Sequence, residues 1–329
     1  MASSKAEKLL AAAALLMLGQ AVLAQEPANP KNPRQWLDSM SSSMRTLDYD
    51  GTFVYYHDGK LEAMRIVHQS NAGGEKERLM SLTGSAREVL RDDKVVTCIM
   101  PDNKSVMVGQ SRARQPYPDV PANLDSLSPY YSLTDAGDDR VAGMMTRIIA
   151  ITPRDRFRYG YRFWIDTRNH MLLRFELSDE EGNTIEQVMF TGLRVGEGIT
   201  DVDLEPSLSG DGYNWFRQES SDGGVAVQAV TPQWGVGQLP VGFELTDNQR
   251  KRVRQGGEHA EHLVYSDGLA TVSVYVEKLM DGIRSYTGLS NMGAMNAYGT
   301  VIDGHQVTVV GEVPAATVQS MAQSVVRRQ

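Results

Sequence analysis

The residues of this chain whose types could do chemistry are few and scattered. His259-Ala-Glu-His262 could bring two imidazoles together on one helix face, as a zinc site requires, but no further ligand is obvious and the flanking residues read as the lead-in to a strand. Asp201-Val-Asp203 with Glu205 offers oxygen ligands for calcium without the glycine and spacing of a calcium loop. Cys98 is the only cysteine, so no intramolecular disulfide can form. In Val95-Val-Thr-Cys-Ile-Met100 it reads as a small buried hydrophobe of a strand, with no activating neighbour in sequence for a reactive thiol. Ser111 follows Gly109-Gln110 but lacks the second glycine of a nucleophile elbow, and neither a zinc-protease motif nor a phosphate loop occurs. Arg250-Lys-Arg-Val-Arg254 is the one basic cluster in a chain of net charge -8. It could meet phosphates or an acidic partner segment, or stand as a solvated loop. The acidic balance disfavours general nucleic-acid binding. This chemistry implies no enzyme and no cofactor.

The elements that would carry these residues are mostly strands. Lys5 and Lys8, the apolar run Leu9–Leu18 and Val22-Leu23-Ala24 read as a signal peptide, residues 1–24, cleaved before Gln25, which predicts a soluble exported protein. Asn32 can cap a helix that opens at Pro33, with Trp36, Met40, Met44 and Leu47 at helical spacing; Asp50-Gly51 would stop it. Strand texture follows at Thr52–Tyr56, Leu61–Gln69, Glu77–Leu82, Ala86–Arg91, Val95–Met100 and Ser105–Val108. Seven Asp-Gly pairs favour tight antiparallel hairpins over parallel crossovers. Four prolines between Ser111 and Asp139 predict short helical turns packed on the sheet. Strands resume at Met144–Thr152, Tyr159–Asp166, Leu172–Ser178 and Thr184–Phe190. Residues 193–213, rich in glycine, serine and acids, mark a boundary. Beyond it come further strands and a last helix after Pro314, with Val318, Met321, Ala322 and Val325 on one face.

The most informative stretch is Leu263-Val-Tyr-Ser-Asp-Gly-Leu-Ala-Thr-Val-Ser-Val274, two strands around an Asp267-Gly268 turn. It resembles a signature of the RseB/MucB family of periplasmic sigma-factor regulatory proteins. Other stretches resemble the family in the same order: Tyr49-Asp-Gly-Thr-Phe-Val-Tyr55, Met64-Arg-Ile-Val-His68, Glu77-Arg-Leu79, Glu186-Gln-Val188, Leu239-Pro-Val-Gly-Phe243 and Val310-Gly-Glu-Val-Pro314. The chain looks most similar to the MucB branch.

This resemblance implies an α+β fold, mainly antiparallel β. Residues 25–195 would form a LolA/LolB-like half-barrel with helices that senses lipid. A flexible linker at 196–215 would lead to a smaller antiparallel sheet with a helix, 216–329, that binds the anti-sigma factor. The implied role is negative regulation of an envelope-stress sigma factor in the periplasm. The protein would bind the periplasmic domain of a membrane anti-sigma factor (MucA/RseA-like) and block its first cleavage. A lipid, lipopolysaccharide or lipoprotein acyl chain would release it, and a homodimer or larger assembly is expected. Trp36, Met40, Phe53, Tyr55, Met64, Ile66, Leu79, Phe163, Ile165, Phe175 and Met189 can line a lipid cavity, helped by a methionine count of 16, or can simply fill a core. Trp234, Phe243, Arg250, Arg252, Arg254, Tyr265 and Tyr275 are candidates for the partner surface. A periplasmic carrier of lipids or lipoproteins is the alternative reading.

Overall fold

The computed structural model describes residues 30–72, 74–92, 95–110, 127–196, 198–217, 231–252, 259–280 and 285–328. The signal-peptide reading and Arg254 lie outside these residues.

Helix α1 (Pro33–Thr46) opens the fold. Asn32 Oδ1 accepts from the Gln35 amide at 3.0 Å, Pro33 sits in the first turn, and the Leu47 amide closes the other end on Ser43 O at 3.0 Å. Trp36, Leu37, Met40 and Met44 are its buried stripe.

The first sheet has twelve strands. These are β1 (Tyr49–His57), β2 (Lys60–Asn71), β3 (Gly74–Ser81), β4 (Glu88–Asp92), β5 (Val95–Met100) and β6 (Ser105–Gln110), then β7 (Tyr131–Val141), β8 (Met144–Pro153), β9 (Gly160–Asp166), β10 (Leu172–Ser178), β11 (Thr184–Val195) and β12 (Asn214–Arg217). Their spatial order is β12-β6-β5-β4-β3-β2-β1-β11-β10-β9-β8-β7. Neighbours are antiparallel except β12, which lies parallel to β6. Helix α1 touches β2 near the middle of the sheet and also β7 and β8 at one edge, so the sheet curls around it. The first closed turn, at Asp58-Gly59, has φ of 48° and 70°, the left-handed pair a tight hairpin needs.

The second sheet runs β14-β15-β16-β19-β18-β17. Its strands are β14 (Glu244–Arg252), β15 (His259–Ser266), β16 (Thr271–Lys278), β17 (Gly288–Met292), β18 (Met295–Ile302) and β19 (His305–Gly311). Helix α3 (Ala315–Gln323) packs on β18 and β19, and a short pair, β13 (Trp234–Val236) with β20 (Val325–Arg327), closes the chain. The family-like hairpin is β15 and β16, turning through Asp267–Ala270.

Several expectations change. Asp50-Gly51 does not end the helix; it lies within β1. Asp50 accepts from Arg65 and Arg194 there, and a Cβ on Gly51 would meet Phe190 at 2.6 Å. The stretch expected as helical turns before 139 contains β7 from Tyr131 onward, because its prolines end at Pro129; residues 111–126 are not described. The basic cluster begins on a strand, with Arg250 and the backbone of Arg252 in β14. The segment 196–215 is strapped to the first sheet. A one-turn helix, α2 (Asp201–Leu204), sets Leu204 against Val67 and Met80, and β12 then adds to the sheet edge. The chain passes to the second sheet through residues 218–230, outside the described residues.

Candidate binding core and interdomain clamp

The curled sheet gathers the cavity candidates into one place. Trp36, Met40, Phe53, Met64, Ile66, Phe163, Ile165 and Phe175 are buried in a single cluster, and Tyr55, Leu79 and Met189 pack partly buried against it. With α1 seated, this interior is filled. A hollow lined by Met44, Tyr49, Phe53, Ile66, Phe175 and Phe190 measures about 10 Å³, room for about one water.

One titratable group meets the seat of α1. His170, in the β9–β10 turn at φ 61°, is 7% exposed and presents its ring to Trp36, edge-on at 5.4 Å. Its buried Nε2 finds no hydrogen-bond partner among the described residues. Burial pushes this imidazole below its ordinary pKa, against the smaller opposing pull of Asp166. A depressed histidine gives stability that is present above its unfolded pKa of 6.5 and lost as pH falls through the lower folded value. Acidification from neutrality should therefore speed amide exchange across Pro33–Thr46 beyond the intrinsic rate change. His170→Asn, which tolerates the left-handed backbone and does not titrate, should remove that pH dependence. Equal pH profiles in the two proteins would rule the device out.

The second feature joins the two sheets. Arg158, in the loop after β8, has a fully buried side chain. Its Nε donates to Asp267 Oδ2 at 2.6 Å, one Nη to Asp155, and the other to the Val241 carbonyl. Its guanidinium lies 5.0 Å from the ring centroids of both Tyr130 and Phe243. Asp267 is the turn residue of the family-like hairpin. Its Oδ1 accepts from the Leu269 and Ala270 amides at 2.9 and 2.7 Å, which leaves Oδ2 for Arg158 and for the Tyr131 hydroxyl at 2.9 Å. Burial works against the Arg158 charge, but Asp267 and Asp155 outweigh it and raise its pKa. Burial, with Asp267 beside it, also pushes the Tyr131 hydroxyl upward. Gly242, at φ 93°, is needed here: a Cβ would meet the Tyr130 ring at 2.4 Å. Two further contacts flank the clamp. Asn296 Nδ2 donates to Tyr159 Oη at 2.9 Å and to the Val313 carbonyl at 2.8 Å, and burial lifts that tyrosine to about 12. Thr317 Oγ1 donates to the Phe157 carbonyl at 2.8 Å.

The partner-surface candidates divide. Trp234, Phe243 and Tyr265 are core residues of the second sheet: Tyr265 Oη accepts from the Val236 amide at 3.2 Å, and Phe243 lies beneath Arg158. A partner cannot touch them in this arrangement. Arg250 is exposed on β14, and Tyr275 is half-buried. Tyr275 stacks on His262 at 4.3 Å, and His262 Nε2 is 3.0 Å from Ser273 Oγ, which occupies the ring first read as a possible zinc ligand. Asp203 spends its carboxylate on Thr200 in the α2 capping box. Cys98 is half-buried in β5, and burial raises its thiol pKa, away from a reactive thiolate. Arg158 escaped sequence reasoning. The Arg154-Asp-Arg-Phe-Arg158 run looks like a solvated loop, and only the third dimension buries its last arginine.

These features define a class: a two-sheet α+β protein in which a helix-filled, curled antiparallel sheet is clamped through a buried ion pair to a smaller sheet. The chain belongs to the MucB/RseB family. The family's N-terminal domain model matches residues 32–208 and its C-terminal domain model residues 228–326. The sigma factor AlgU regulatory protein MucB of Pseudomonas aeruginosa is 31% identical over 94% of this chain and 96% of its own length. A crystal structure of MucB in complex with MucA(peri) superposes with a TM-score of 0.67 at 28% identity, covering 91% of this chain and 100% of that one. A crystal structure of MucB superposes at 0.57, with 29% identity, over 89% of this chain and 97% of that one.

Proposed function

We propose that this chain is a periplasmic negative regulator of an extracytoplasmic stress sigma-factor pathway. It binds the periplasmic domain of a membrane anti-sigma factor and shields it from the site-1 protease. A lipid or lipopolysaccharide-type signal releases it. The observation that carries this reading is the match over nearly the whole chain, at a TM-score of 0.67, to MucB in complex with MucA(peri).

The packed interior says how such a signal would have to act. Ligand cavities for an acyl chain run to roughly 300–1,000 Å³, whereas the hollow here is about 10 Å³. A lipid entering among these residues would displace α1 and take over its contacts with β2, β7 and β8. Tyr131 opens β7 and Arg158 follows β8, so the strands that α1 touches lead into the clamp. The ligand then works by preferring the unclamped arrangement, and it can shift the balance only by that preference. A plain carrier needs only the first sheet, so the matched second domain, residues 228–326, favours the regulator reading over it.

Purified protein, the periplasmic domain of the cognate anti-sigma factor and the site-1 protease supply the test. Cleavage should slow when the protein is added and recover with lipopolysaccharide. Protection that lipopolysaccharide and lysophospholipid both leave intact would remove the lipid signal and keep the regulator. No binding and no protection would overturn the regulator reading.

A further inference from the structure

A groove of about 680 Å³ opens beside α3. Gln319, Ser320 and Gln323 line it from the outward face of that helix, Val326 from β20, and Arg156 from the loop that carries the clamp. The groove is thus built from both halves of the molecule. Its chemistry is uneven. Arg156 is the one charged residue in the lining, α3 itself carries no charge, and no acid faces the groove. Arg156 is exposed, rests over the Phe157 ring at 5.5 Å, and has no ion pair among the described residues. Arg156 also lines a second hollow with Asp155, Asp179, Glu180 and Glu181; Asp155 pairs with Arg158, and none of the four forms an ion pair with Arg156 among the described residues.

We propose that this groove receives an acidic, extended segment of the anti-sigma partner. The inference rests on the regulator reading given above. Charge selects the occupant: an unpaired guanidinium in an acidic protein, with no opposing carboxylate in the lining, favours a carboxylate side chain. The remaining walls suit a polypeptide. Gln319 and Gln323 stand one helical turn apart and are exposed; Gln323 Nε2 donates to Tyr298 Oη at 3.5 Å, which leaves its carbonyl oxygen and second N–H, with the Gln319 amide, for a peptide backbone. Among the described residues strand β20 pairs with β13 on one side and with no second strand, so it offers an edge alongside. An acyl chain would find little apolar wall beyond Val326 and Ala316, and a phosphate headgroup only one cation.

Binding of the purified periplasmic domain of the cognate anti-sigma factor to the full chain tests this. Arg156→Glu should weaken binding about tenfold or more and flatten its salt dependence, while Arg156→Lys keeps most of the affinity. Ser320→Trp, which fills the groove without touching the charge, should weaken binding similarly. Both proteins should melt like the wild type. A photo-crosslinker at Gln319 should label an acidic stretch of the partner. If the wild type binds and both variants bind within about twofold of it, the groove is not the site and the regulator reading stands. If the wild type does not bind, both fall. If Arg156→Glu changes only the response to lipopolysaccharide, the groove serves a headgroup and the peptide assignment is wrong.

Discussion

Replacing Arg158 by methionine is expected to lower the melting temperature by roughly 10 °C and to separate the unfolding of the two sheets. The size follows from what is left behind. The Asp267 side chain is fully buried beside Arg158. Without the guanidinium, Tyr131 and the two turn amides still donate to it, but nothing neutralises it. Breaking one side of a buried pair costs about 3–5 kcal/mol, much of it the penalty of an uncompensated charge. The loss falls at the seam, because Arg158 also holds the Val241 carbonyl and lies over Phe243. Calorimetry should resolve two transitions in the variant and one in the wild type. Asp267→Asn keeps an acceptor for the turn amides, so it should cost less. The double variant should cost less than the sum of the singles, by about 0.5–3 kcal/mol of coupling. A single transition within about 2 °C of the wild type would show that the clamp contributes nothing.

The clamp also shows where sequence reasoning stops. Local signals were legible. Asn32-Pro33 and the Trp36, Met40, Met44 stripe define α1, and Leu172–Ser178 is a strand with the same bounds in sequence and structure. Asp267-Gly268 is legible as a turn, because an Asx side chain can serve its own loop amides. That the same carboxylate also spans two sheets is a long-range fact, 109 residues removed from Arg158, with no local pattern to announce it. The apolar residues of the curled sheet are readable as inward-facing, but whether they enclose a cavity or a core depends on where α1 lies. Tyr131–Val141 was obscured by the prolines before it, and β17 and β18 by their glycines and polar residues. The strap after β11 reads as a linker because its order comes from distant polar partners rather than periodic apolar ones.

Those partners converge on Glu88, which makes the strap the second place where one substitution should have a large effect. Glu88 is 2% exposed. Its carboxylate accepts from Arg78 Nη2 at 2.5 Å, from the Ser207 hydroxyl at 2.6 Å, and from the Ser207 and Leu208 amides at 2.9 and 3.0 Å. Arg78 reaches on to the Asp203 carbonyl at 3.1 Å, so one ion pair on the first sheet anchors both ends of the segment from α2 to Leu208. Burial alone would raise the Glu88 pKa, but the bonds from Ser207, Arg78 and Leu208 outweigh it and hold the carboxyl below its ordinary value. A depressed carboxylate contributes stability that is present above its unfolded pKa of 4.5 and lost as pH falls through the lower folded value. Glu88→Ala should therefore cost about 3–5 kcal/mol, since it strands a buried guanidinium. It should free residues 199–217 first. Amide exchange and limited proteolysis would show that segment opening while β8 to β10 stay protected. Ser207→Ala removes one donor and should cost only about 1 kcal/mol. In the wild type the same segment should open on acidification below the ordinary glutamate range, and in Glu88→Ala it should be open already at neutral pH. If proteolysis instead cuts both proteins alike, the strap is held by Leu204 against Val67 and Met80, and the ion pair is incidental. A strap that stays closed matters for the mechanism as well. With residues up to Arg217 fixed to the first sheet, any reorientation of the second sheet must be taken up after that point and at the clamp. If the release proposed above reorients the second sheet, the Arg158–Asp267 contact is the restraint it would break.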